Sequence, residues 1–101
     1  MDKDKNYLIQ EKDTGIKSKI SSLRAHAELF AIAEDGYLSV CTSDKFISVL
    51  SDIEESGANN LTCYDTALSW FAKAQLNDNS YFCVDSTGYA GRLGGSSLCA
   101  I

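Results

Sequence analysis

Four cysteines, Cys41, Cys63, Cys83 and Cys99, and a single imidazole, His26, are the side chains of this 101-residue chain best suited to chemistry. A Cys–His pair makes a nucleophile only where the imidazole faces a reduced thiol. His26 stands beside an apolar stripe early in the chain, and every cysteine follows it, so a surface or interface role suits it better. Wide cysteine spacing, the absence of any C-x-x-C pair and the lone histidine argue against zinc. An even cysteine count spread over loop-rich sequence in a small domain reads instead as two disulfides. That implies an oxidising compartment outside the cytoplasm.

The remaining candidates carry less. Asp85-Ser86-Thr87-Gly88 sets hydroxyls beside a carboxylate, but such neighbours form a turn whose side chains bond their own backbone. The glycines of "GRLGGSS" lack the spacing and the strand-to-helix context of a phosphate loop. Asp52, Glu54 and Glu55 cluster at the end of a helical pattern, where they oppose the helix dipole and belong in solvent, and the D-x-D-x-D-G order of a calcium loop is absent. Asn60-Leu61-Thr62 fits a glycosylation acceptor. The residues therefore describe a structural protein, with no catalytic set, no metal and no cofactor.

Positioning falls to a few elements. Ile16, Ile20, Leu23, Ala27 and Phe30 recur at steps of four, three, four and three, the signature of one face of a long helix. Ile9, seven residues before Ile16, extends that face towards the start of the chain. Gly15 interrupts it at a cost of roughly 1 kcal/mol relative to Ala. The pattern ends at Asp35-Gly36, where glycine suits the left-handed closing position, so residues 1–35 are assigned to the helix and 36–101 to a head. A second helix is expected from an N-cap at Ser43 to a stop at Gly57, with Phe46, Ile47, Leu50 and Ile53 along one side. Leu68, Trp70, Ala72, Ala74 and Leu76 then alternate as a strand with one buried face. "NDNS" is turn chemistry, and "YFCVDSTG" returns as the second arm of an antiparallel hairpin. The glycine-rich tail leaves room for a short third strand. Phe46 and Trp70 are the expected anchors where sheet and helices meet.

The fold class expected is α+β, a single domain over 1–101 with a long N-terminal helix laid on a small antiparallel sheet and a short second helix between them. Its net charge of −5 is uneven, −1 over residues 1–35 and −4 over 36–101. An acidic head offers no basic, aromatic-laced surface for nucleic acid. Neither a signal peptide nor a membrane-spanning apolar run is visible. A chain with export-type cysteines and no export element is expected to be the processed or truncated form of a longer precursor.

The stretch "KSKISSLRAHAELFAIAEDGYLSVC", followed by Cys63, a Trp-bearing strand and "YFCVDSTG", resembles the type IV pilins, in particular short disulfide-bearing pilin-like proteins of bacteria. The resemblance covers roughly residues 10–90. It implies an extracellular filament subunit whose precursor is held in the membrane by an upstream apolar helical half. Such a subunit polymerises through its N-terminal helix and serves attachment, twitching motility or DNA uptake. Its implied partners are other pilin subunits, the pilus assembly machinery and, through the filament, a host-cell surface or DNA. On that reading Ile9, Ile16, Ile20, Leu23, Ala27 and Phe30 serve helix packing and the filament interface, with the early turns left to neighbouring subunits and the isolated domain a monomer. A pseudopilin of a type II secretion system shares the fold; outside it, the alternative is a small secreted enzyme or inhibitor stapled by disulfides. Of three possible cysteine pairings, Cys41–Cys63 with Cys83–Cys99 is the expectation, the first clamping the segment around the second helix and the second pinning the tail to the hairpin.

Overall fold

The step of three and four in the apolar residues does produce a helix: α1 runs Asp2–Glu34 in the computed structural model, which describes residues 2–92 and Cys99, with side chains from Leu8 onward. At about 1.5 Å of rise per residue, such a helix accounts for the longest dimension of the molecule, 51 Å against 27 and 18 Å for the others. Its end differs in one detail from the sequence expectation. Asp35, not Gly36, takes the left-handed conformation (φ 58°), and the Gly36 N–H donates to the Ala31 carbonyl at 3.2 Å, the six-to-one bond of a Schellman close. Gly36 has φ 140° and lies so near the Ala67 carbonyl that a Cβ would come within 2.8 Å of it, so glycine is required there for a second reason.

A 3₁₀ turn, Val40–Thr42, leads into α2, Asp44–Glu55. Ser43 is the N-cap residue by position, but its hydroxyl donates back to the Val40 carbonyl at 2.6 Å and does not bond the helix. Phe46 and Ile53 are buried, with Val49 and Leu50 packed half-buried between them. Ile47 lies about 100° round the helix from Phe46 and is exposed, so it leaves the expected apolar side.

Four antiparallel strands follow as a meander, β1 Asn59–Asp65, β2 Trp70–Gln75, β3 Tyr81–Asp85 and β4 Ala90–Arg92, in spatial order β1-β2-β3-β4. β2 and β3 are the expected hairpin and β4 the short strand in the tail. β1 is an addition. It is an edge strand with a bulge between Asn59 and Thr62, where Asn60 has φ 49°, so its sequence "NNLTCYD" reads as turn residues. Leu68 departs from expectation too: it sits 89% exposed at the tip of the β1–β2 turn. That turn is closed by the Thr66 hydroxyl, which accepts from the Leu68 and Ser69 amides at 3.2 and 3.0 Å.

The core lies between α1, α2 and one face of the sheet. Trp70, Ala72, Ala74 and Leu76 from β2 and its end, with Val84 from β3, form one cluster with Ile16, Ile20, Leu23 and Ala27 of α1 and with Phe46 and Ile53 of α2. The two alanines of β2 leave volume for the larger helix residues. Phe46 meets Trp70 edge to face with ring centroids 5.2 Å apart, so both are core anchors as expected.

Candidate functional site

The side chains singled out by their chemistry turn out to hold the fold together. Both disulfides form, Cys41–Cys63 and Cys83–Cys99, with Cα atoms 5.8 and 6.2 Å apart. The strand register shows what each one does. Cys63 stands opposite Ala72 and Cys83 opposite Lys73, and those neighbours in β2 point to opposite faces. One disulfide therefore ties the 3₁₀ turn to the helix-covered face of the sheet. The other fixes Cys99 on the outer face, where the Lys73 ammonium donates to the Cys99 carbonyl at 3.5 Å. With every cysteine oxidised, His26 has no thiol to activate.

Three aspartates do related work, and two of them gave no sign of it in the sequence. Asp13 is buried on α1; its Oδ1 accepts from the backbone and side-chain N–H groups of Asn77 at 2.8 and 3.0 Å, and its Oδ2 from the Asp78 amide at 3.0 Å. The helix thus holds the β2–β3 turn through one carboxylate. Asn77 also donates to the Ser56 carbonyl at the end of α2 at 3.2 Å, joining three elements. Gly57 must be glycine there, because a Cβ would lie 2.4 Å from the Asn77 side chain and its φ is +103°. Asp65 accepts from the Ser39 and Cys41 amides at 3.0 and 3.1 Å, securing the entry to α2 beside the first disulfide. Buried Asp85 accepts from the Thr87 amide at 2.8 Å and the Thr87 hydroxyl at 2.5 Å, so the "DSTG" motif is the self-bonded turn its sequence suggested.

That turn borders an open groove of about 470 Å³ whose other wall is Ser21, Arg24 and Glu28 of α1. Its charged groups have internal tasks. The Arg24 guanidinium donates to the Gly88 and Ser21 carbonyls at 3.2 and 3.3 Å, locking helix to turn. Glu28 accepts from the Tyr37 hydroxyl at 2.8 Å, and this bond, with some burial and the charge of Glu28, holds the Tyr37 phenol above its usual range. Asp78 is held below the usual carboxylate range, first by the Ser80 hydroxyl and then by the Ser80 amide. Among the described residues no group of three or more His, Cys, Asp or Glu is disposed to hold a metal ion. Asp52, Glu54 and Glu55 are exposed as expected, and Asn60 is exposed at the bulge, its amide donating to Gln75 at 2.8 Å.

The helix stripe needs a correction. Ile16, Ile20, Leu23 and Ala27 are at most 1% exposed, so the head itself covers them and leaves none of them to neighbouring subunits. The reason is the length of the hairpin. Strands of five or six residues run about 17–20 Å, and the turn beyond them reaches back to Asp13. Phe30 is half-buried against the core at the far end, and Ile9 is half-buried ahead of it. Among the described residues, the α1 surface left open includes Leu8, 54% exposed, and the outer face bearing Leu29 and Ile32. No described helix is long and apolar enough to cross a membrane. No protein-family model, curated protein or solved structure matches this chain.

Proposed function

We propose that this chain is the head and adjoining helix of a type IV pilin-like filament subunit, a structural protein of the cell exterior that assembles through its N-terminal helix. One observation carries the reading: α1 is longer than the head needs. Among the described residues its fully buried positions begin at Asp13, yet the helix runs on to Asp2, about 16 Å further at 1.5 Å per residue. A projecting helical stalk on a disulfide-stapled sheet is a shape suited to assembly. The disulfides favour an oxidising location, and the tasks found for Asp13, Asp65 and Asp85 favour a scaffold. On this reading the stalk continues upstream into an apolar segment that anchors the precursor in the membrane, and the filament serves attachment, twitching motility or DNA uptake. The native gene provides the test. An open reading frame with a short basic leader and about 20 apolar residues ahead of the present Met1, near genes for a prepilin peptidase and assembly ATPases, is the expected result. An ordinary cleaved signal peptide directly ahead of the domain overturns the reading in favour of a secreted, disulfide-stapled protein.

A further inference from the structure

The face of α1 turned away from the head has its own pattern. Starting at Leu8 and stepping three and four residues in turn, it ends on Leu29 and Ile32, and every position on it is exposed. Leu29 and Ile32 are 66% and 81% exposed. The positions between the large residues are mostly small, Gly15 and Ser18 among them. A glycine inside a helix costs about 1 kcal/mol relative to Ala. Among the described residues nothing requires it, because a Cβ on Gly15 would meet no atom of theirs within 4 Å and its φ is ordinary. A hole at Gly15 and knobs at Leu29 and Ile32, on one face at heptad spacing, are complementary to each other.

We propose that this outer face docks the same face of a second copy of the chain, parallel and displaced by two heptads, about 21 Å along the helix. Charge selects the arrangement. Lys12, Lys19 and His26 flank one side of the stripe; Glu28 and, just past the helix end, Asp35 flank the other. In a parallel pair these flanking rows face each other across the seam. In register, Glu28 faces Ala33 of the second copy and no acid meets a base. Antiparallel packing brings the basic rows together. A displacement of two heptads sets Glu28 against Lys19 and Asp35 against His26 of the second copy, while Leu29 and Ile32 settle over its Gly15 and Ser18. One heptad fewer seats Leu29 on Ser22, and one more puts Ile32 on Glu11. The contact deepens the filament reading and rests on it for its biological setting, but its geometry is tested separately.

Sedimentation equilibrium of the chain at up to roughly 1 mM should show an average mass rising above the 11.0 kDa of the monomer. Gly15→Leu should weaken association by roughly tenfold or more while melting no lower than the parent. Glu28→Lys and Lys19→Glu should each weaken it several-fold, and the two together should restore it. A nitroxide on Lys12→Cys, mixed with isotope-labelled parent chain, should broaden amides near His26 and not those near residue 12. A mass that stays constant with concentration, a Gly15→Leu variant that associates like the parent, or broadening centred on residue 12 overturns the proposal. Association with this pattern in a chain whose gene encodes no apolar helix leaves the contact standing and removes the pilus; a monomer from a pilin-type gene does the reverse.

Discussion

Residues 8–12 and residues 13–27 belong to one unbroken helix and continue one apolar spacing, yet the second stretch is core and the first is largely in solvent. Helix geometry does not separate them. What does is the hairpin, whose turn reaches Asp13: among the described residues of α1, the fully buried positions begin there, and ahead of it only Ile9 is half-buried. Periodicity therefore reports which side of a helix is apolar, whereas the length of the opposing sheet decides how much of that side is used internally. The same distinction applies across the helix: the face towards Trp70 is filled by the chain itself, and the face bearing Leu29 is not.

Substitutions on either side of this boundary test it. The largest effect is expected at Trp70, where Ala should cost about 3 to 5 kcal/mol and lower the melting temperature sharply. Its indole N–H is buried with no hydrogen-bond partner among the described residues. Trp70→Phe should accordingly keep much of the stability, since only packing is lost; a Phe variant as unstable as Ala would show that the N–H matters. Next comes Asp13, the boundary residue. Asp13→Ala leaves the Asn77 and Asp78 amides without their carboxylate, and hydrogen bonds to a charged group are worth roughly 1.5–3 kcal/mol. Chemical denaturation should show a loss of about 2 kcal/mol, with amide exchange fastest at the β2–β3 turn. An unchanged midpoint would move the boundary of the packed region past Asp13 towards Ile16.

How much of this was legible beforehand varies with what each feature depends on. The α1 stripe, the β2 alternation and the self-bonded Asp85 turn are local, and each was readable from spacing or turn chemistry. β1 was not, because an edge strand with a bulge at Asn59–Asn60 has no buried face dense enough to show alternation, and its asparagines imitate a turn. Leu68 misled for the opposite reason, since alternation happens to continue one step into the turn. Asp13 and Asp65 were silent: their function is set by which distant amides the fold delivers, 64 residues away for Asn77. The use of Ile16 and Ile20 by the head, and not by neighbours, depended on the same unreadable quantity, the reach of the hairpin.

Smaller effects fall on the unpacked side of the comparison. Gly15→Ala should stabilise the chain by up to about 1 kcal/mol, which thermal melts would resolve. Leu8→Ala should stay within about 0.5 kcal/mol of the parent, a null result that becomes a finding beside Leu23→Ala, expected to cost about 2 to 5 kcal/mol. The smallest expected effect is on pH dependence. Asp78 is lowered from the ordinary value of 3.8, so its contribution is present above that value and fades as pH falls through the lowered one. Asp78 is exposed, and Asp78→Asn should remove only a slight acid sensitivity of the hairpin.

Immunogold electron microscopy on cells of the source organism directly tests the proposal that the helix extends past its head because the chain is built into a filament. Antibodies raised against the head should label thin surface filaments along their length, and deletion of the gene should remove both filaments and label. Label confined to the cell interior, or found only as soluble protein in the medium while filaments persist unlabelled, would contradict it.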